Sequence, residues 1–204
     1  MNILKTASAI TAITMLGFFA SATAQAAPNR FMSMDQSVQP PVGHVQFCRD
    51  NRRDCQGSTA SPVVVKLTEA RWQELIATNT DVNRRIRPVT DEELFGKLEY
   101  WTYPNQGAGD CEEYVLEKQR TLIANGWPKS ALLITVAKDV RNAGHAVLTV
   151  RTDHGDMILD NQVEAVLPWY STPYRYIKRQ STKAPAKWTG IADTRVTTVS
   201  SLGR

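Results

Sequence analysis

Two residue types suited to nucleophilic chemistry are scarce in this chain of 204 residues, which has three cysteines and three histidines. Asp110 precedes Cys111, and the stretch behind it has helical spacing. Tyr114, Val115, Gln119, Leu122 and Ile123 make one face, and Asn125-Gly126 stops it. Cys111 is therefore placed at a helix N-terminus with Asp110 as the expected cap. The partial positive charge there eases ionisation of a thiol, and the thiolate is the nucleophile. The same free N–H groups can hold the oxyanion of an acyl intermediate. Glycines ahead of Cys111 would let a substrate backbone approach.

A nucleophilic thiol needs a base, and the base needs an orienting group. His145 follows Asn142-Ala143-Gly144 and opens a β-rich run, whereas His154 lies in turn chemistry and His44 lies upstream. Asp160 ends the next strand of the same hairpin. A two-residue turn at His154-Gly155 would pair Thr149 with Asp160. His145 would then lie on the same face but about 13 Å away. Contact requires a bulge, another register or strong bending. By spacing alone, a structural cysteine with a capping histidine fits as well.

The surrounding pattern is helices first and strands afterwards. Leu67, Trp72, Leu75, Ile76, Asn79, Val82 and Ile86 recur near 3.6 spacing, with Thr68 able to start the helix and Pro88 ending it. Thr90 with Glu93 is a capping-box pattern for a helix over Asp91 to Leu98. Trp101 to Gly109 reads as a loop. Strands are expected at 131–136, 146–152, 157–160 and 174–179, with 153–156 as a turn. This order is α+β with an antiparallel meander. Trp101, Trp127 and Trp169 stand near turns and are expected at the edge of the core.

The N-terminus reads as an export signal. Lys5 precedes the apolar run Ala7 to Ala20, and Ala24-Gln25-Ala26 is a small-residue cleavage site. Residues 1–26 are thus assigned to a signal peptide, 27–46 to an extended leader, 47–182 to one domain and 183–204 to a polar tail. No other stretch approaches a membrane span. In an oxidising compartment Cys48 and Cys55, seven apart in a polar loop, are expected to form a local disulfide, leaving Cys111 free. The net charge of +4 is scattered, and no basic stripe interleaved with aromatics suggests nucleic acid.

Gly109-Asp110-Cys111-Glu112-Glu113-Tyr114 resembles the nucleophile motif of the bacterial transglutaminase-like cysteine proteinases. The likeness continues through Gly126-Trp127-Pro128, Gly144-His145-Ala146-Val147-Leu148, Asp156-Met157-Ile158-Leu159-Asp160-Asn161 and Pro168-Trp169. The resemblance implies a papain-like or transglutaminase-like core, with a nucleophile helix packed on an antiparallel β-sheet. It implies Cys111 as nucleophile, His145 as general base and Asp160 as the group that orients it. Cys111 N–H would be one oxyanion donor, with a second in the Trp101 to Gln106 loop. The best understood members, periplasmic proteases of the LapG type, cleave surface protein, need calcium and have an inner-membrane regulator. Asp110 and Glu112 occupy the flanking positions that bind the metal there, and carboxylates suit Ca²⁺. The same two residues are equally good helix-start residues. The resulting expectation is an exported cysteine hydrolase acting on a protein or peptide substrate, in the periplasm or secreted. Acyl transfer or amide hydrolysis on cell-wall peptide, and a non-catalytic binding module, are the competing readings. Oligomeric state is not readable from the chain.

Overall fold

The computed structural model describes residues 29–195; the expected signal peptide lies outside the described residues. Four helices form: α1 (Val42–Asp50), α2 (Glu69–Arg85), α3 (Asp91–Phe95) and α4 (Cys111–Ala124). Nine strands form: β1 (Met34–Val38), β2 (Arg87–Pro88), β3 (Ala108–Gly109), β4 (Leu132–Lys138), β5 (Gly144–Thr152), β6 (Gly155–Leu159), β7 (Leu167–Pro168), β8 (Arg175–Gln180) and β9 (Trp188–Ile191). Seven of them make one antiparallel sheet in the order β1-β9-β8-β4-β5-β6-β7. The short β2 and β3 pair in parallel. No helix among the described residues is long and apolar enough to cross a membrane.

Alternation along the strands divides the apolar residues between two faces. Leu132 and Ile134 of β4, Ala146, Leu148 and Val150 of β5, and Met157 and Leu159 of β6 turn toward Val115, Leu116 and Leu122 of α4, with Leu75 of α2 and Phe47 of α1 in the same core. Ala137, Val147, Ile158 and Tyr176 face the other way, against Met32, Trp169 and Tyr174. The α+β expectation is met, with α4 packed on the sheet. Trp101 and Trp127 belong to the first core and Trp169 to the second.

Local signals account for the helix ends. Thr68 accepts the Arg71 N–H, and Thr90 and Glu93 make the expected reciprocal box. The third helix stops at Phe95 rather than Leu98, because Gly96 takes a left-handed conformation at φ 64°.

Two segments depart from expectation. The 27–46 leader supplies β1 and the start of α1, which also makes Phe47 to Asp50 helical rather than loop. The polar tail supplies β9, which lies between β1 and β8. Trp188 anchors that strand: it is 1% exposed, and its indole N–H donates to His44 Nδ1 at 3.2 Å. Cys48 and Cys55 are joined, with Cα atoms 5.5 Å apart.

Lys118 is an anomaly within α4. It is fully buried and its ammonium nitrogen has no hydrogen-bond partner among the described residues. Burial pulls its pKa from 10.5 down to about 7, against the attraction of Asp160. Between those values the unfolded chain binds the proton and the folded chain releases it. Stability conferred by neutralising this residue is therefore gained as pH rises through that window. Lys118→Met is expected to exceed the parent in stability at pH 7 by on the order of a few kcal/mol, with the gap closing toward pH 10. Trp188→Ala is expected to cost about 3–5 kcal/mol. Urea midpoints across pH measure both.

Candidate active site

Cys111 is the first residue of α4, with Asp110 at the N-cap. Glu113 reaches back to accept the Asp110 N–H at 2.9 Å and also takes the Thr102 N–H at 3.1 Å. This return of Glu113 explains Gly109. A Cβ there would stand 2.4 Å from the Glu113 Cβ, so glycine makes room for the helix start itself. The Thr102 N–H is thereby engaged, and no residue from 101 to 106 lines the cleft beside Cys111.

The Cys111 thiol donates to Glu112 Oε2 at 3.0 Å. Burial pushes the thiol pKa well up, the Glu112 and Asp110 charges push it further, and a backbone hydrogen bond from Ala146 opposes them. The helix terminus alone would favour the thiolate. Burial, and after it the carboxylates packed around the thiol, outweigh that contribution.

His145 and Asp160 meet because the β5–β6 turn is Asp153-His154, not His154-Gly155. Thr152 pairs with Gly155 and Leu148 with Leu159. Asp160, one residue past β6, comes level with Val147. His145 is two positions along on the same face, a separation of about 7 Å between backbones, which the side chains span. His145 Nε2 lies 2.8 Å from Asp160 Oδ1, with both residues buried. No bulge is needed; the expected register was off by two residues.

Asp160 is held on every side. Burial disfavours its charge, and hydrogen bonds from His145, the Tyr174 hydroxyl and the Gln162 backbone N–H more than offset this, leaving its carboxyl below the usual range. Asn83 of α2 donates to its backbone carbonyl at 2.8 Å. Cys111, His145, Asp110, Asn161 and Gln162 line one open cleft of about 420 Å³.

Behind Cys111 the acidic residues gather. Ligand atoms of Asp110, Cys111 and Glu112 lie within 4.8 Å of one another, as do those of Asp91, Asp110 and Glu113. Burial raises Glu112 to about 9, Glu113 to about 8 and Asp91 to about 6. One buried oxygen on each of Asp91 and Asp110 has no hydrogen-bond partner among the described residues. Orphaned carboxylate oxygens beside other hard oxygen donors fit a divalent cation. Asp91 and Glu113 join Asp110 and Glu112 as groups able to hold one.

The model of the bacterial transglutaminase-like cysteine proteinases matches residues 34–196. This chain belongs to that family. Among solved structures, calcium-bound LapG of Legionella pneumophila is 26% identical with a TM-score of 0.52, over 68% of this chain and 77% of that one. The EGTA-treated form of the same protein is 27% identical with a TM-score of 0.50, over 60% and 67%. Among curated proteins none matches. The family is one of cysteine peptidases, and in this proteinase Cys111 is free while the other two cysteines are paired.

Sequence reading missed Tyr174, Gln162, Asp91 and Glu113 as parts of this site. Tyr174 lies just before β8, and only the sheet order brings it to Asp160. The capping residue Glu113 could have been found from its spacing three residues after Asp110. Tyr174→Phe removes a donor to a buried carboxylate and is expected to cost about 1–3 kcal/mol. Because Asp160 is held below its unfolded value, that stability is present at neutral pH. It is lost as pH falls through the folded pKa. The difference between Tyr174→Phe and the parent in urea unfolding should therefore be large at pH 7 and shrink in acid.

Proposed function

We propose that this protein is an exported cysteine protease that hydrolyses peptide bonds in periplasmic or surface protein through Cys111, His145 and Asp160. The observation that carries the reading is the buried His145–Asp160 bond opening onto the cleft that also contains Cys111. Asp160 is an acceptor, so it takes the Nε2 proton of neutral His145 and leaves the lone pair on Nδ1.

The thiol proton of Cys111 passes to Nδ1, and the thiolate attacks the scissile carbonyl carbon. The oxyanion is received by the Cys111 N–H at the helix N-terminus. Collapse breaks the C–N bond, and Nδ1–H protonates the leaving amine. A water, deprotonated by Nδ1, then hydrolyses the thioester, releasing the acid and restoring the thiol. Asp160 holds the ring and stabilises its charged form throughout.

Calcium is the cation this reading assigns to Asp110 and Glu112, with Asp91 and Glu113 behind them, in keeping with the calcium-bound form of the similar Legionella pneumophila protein. When bound, it supplies positive charge that offsets the carboxylates opposing thiolate formation. Export is supported by the Cys48–Cys55 disulfide, a bond of oxidising compartments.

His145→Ala and Asp160→Asn are each expected to slow cleavage of an exported protein substrate by on the order of 10²–10⁴-fold, and Cys111→Ala to abolish it. Retained cleavage in Cys111→Ala would end this reading. Mass spectrometry of products with and without added amine separates hydrolysis from acyl transfer. Calcium must displace protons from Glu112 and Glu113, whose pKa values are about 9 and about 8. Its affinity should therefore rise from pH 7 to pH 9 with proton release. Titration calorimetry in buffers of different ionisation enthalpy checks this directly.

A further inference from the structure

Cys111 and His145 each engage another partner. The thiol donates to Glu112, and no hydrogen bond joins it to His145 among the described residues. The nitrogen that would receive the thiol proton is already engaged. Gln162, in the loop between β6 and β7, brings its side-chain amide nitrogen to 3.2 Å from His145 Nδ1. Its backbone N–H donates to Asp160 Oδ1 at 3.0 Å, sharing that oxygen with His145 Nε2.

With Nε2–H directed at Asp160, Nδ1 carries the lone pair, and an amide NH₂ can only donate to it. We propose that Gln162 is a positioning residue that withholds the base: its amide occupies Nδ1 and must let go before the proton of Cys111 can pass. This rests on the Cys111–His145 reading above. In the step, the S–H bond breaks and the Nδ1–H bond forms. The Gln162 amide exchanges its imidazole acceptor for water or substrate in the cleft. A protonated Nδ1 has no lone pair, so the Gln162 bond is available only to the neutral ring and opposes the thiolate–imidazolium pair. The Gln162 side chain is exposed, so it can swing away without repacking the core. Its backbone bond to Asp160 stays in place whatever side chain stands there.

The test is the rate of Cys111 alkylation by iodoacetamide at pH 7, read by intact mass, on the full chain and on Gln162→Ala, Gln162→Met and His145→Ala. Loss of one hydrogen bond predicts roughly 2- to 10-fold faster labelling in both Gln162 variants. The imidazole ¹⁵N spectrum should show Nδ1 released from a donor. Gln162→Met keeps the bulk and removes the donor, so acceleration in Gln162→Ala alone would mean simple steric cover and overturn the proposal. Unchanged or slower labelling in both, with His145→Ala still slowing the parent rate, overturns the role of Gln162 and leaves the catalytic pair standing. Labelling indifferent to His145→Ala removes the pair, and the role of Gln162 with it.

Discussion

Thr152 and Gly155 face each other across β5 and β6, so that two residues alone, Asp153 and His154, make the turn. A strand alternates its faces, so a slip by one residue would send His145 and Asp160 to opposite sides of the sheet. A slip by two toward a His154-Gly155 turn would keep the face but part them by a further 7 Å or so. The register is pinned locally and from a distance. Thr152 donates through its hydroxyl to the Gly155 carbonyl at 2.8 Å, and the His154 N–H returns to the same hydroxyl at 3.2 Å. Gly155, at φ 115°, lies against the Arg30 carbonyl, which a Cβ would meet at 2.5 Å. Asp156 is buried and takes the Met32 N–H and the Arg179 guanidinium.

On this rigid sheet end the protein assembles two opposed electrostatic environments. Asp160 is kept ionised by donors converging on both oxygens, in spite of its burial. A short way off, burial and neighbouring carboxylates outweigh the few donors at Glu112, Glu113 and Asp91 and raise all three. One carboxylate is therefore fixed as an anion, while Glu112 and Glu113 hold their protons through neutral pH and Asp91 holds its own only below about 6. Carboxyl groups thus differ in charge within one site, and the balance of N–H and O–H donors against burial and neighbouring charge decides which way each goes.

What could be read from the chain follows how local each determinant is. The start of α4 was legible because Asp110 and Glu113 act within one turn, and the Thr90–Glu93 box for the same reason. The disulfide was legible because it closes a short loop. β1 and β9 were not, because β1 is largely polar, β9 is only four residues long within a polar tail, and they become strands only by pairing with each other and with β8. The exposed side chains of β1 carry no apolar alternation to read. Tyr174 and Gln162 were missed because each reaches the site through a partner distant in sequence. The turn was misjudged by one residue because Asp153-His154 and His154-Gly155 are both plausible as sequence. Contacts with Arg30 and Val65 decide between them.

The pairing of β1 with β9 has a consequence for how this molecule is made. The first and last described strands are neighbours, and β9 alone bridges β1 to the rest of the sheet. Such pairing closes a loop spanning nearly the whole domain, which is slow to form and costly in chain entropy. β1 cannot find its place until β9 is available. A chain threaded through a membrane N-terminus first would therefore carry β1 across unpaired. Its docking would come last, after the Cys48–Cys55 loop and the central hairpin had formed from nearer neighbours.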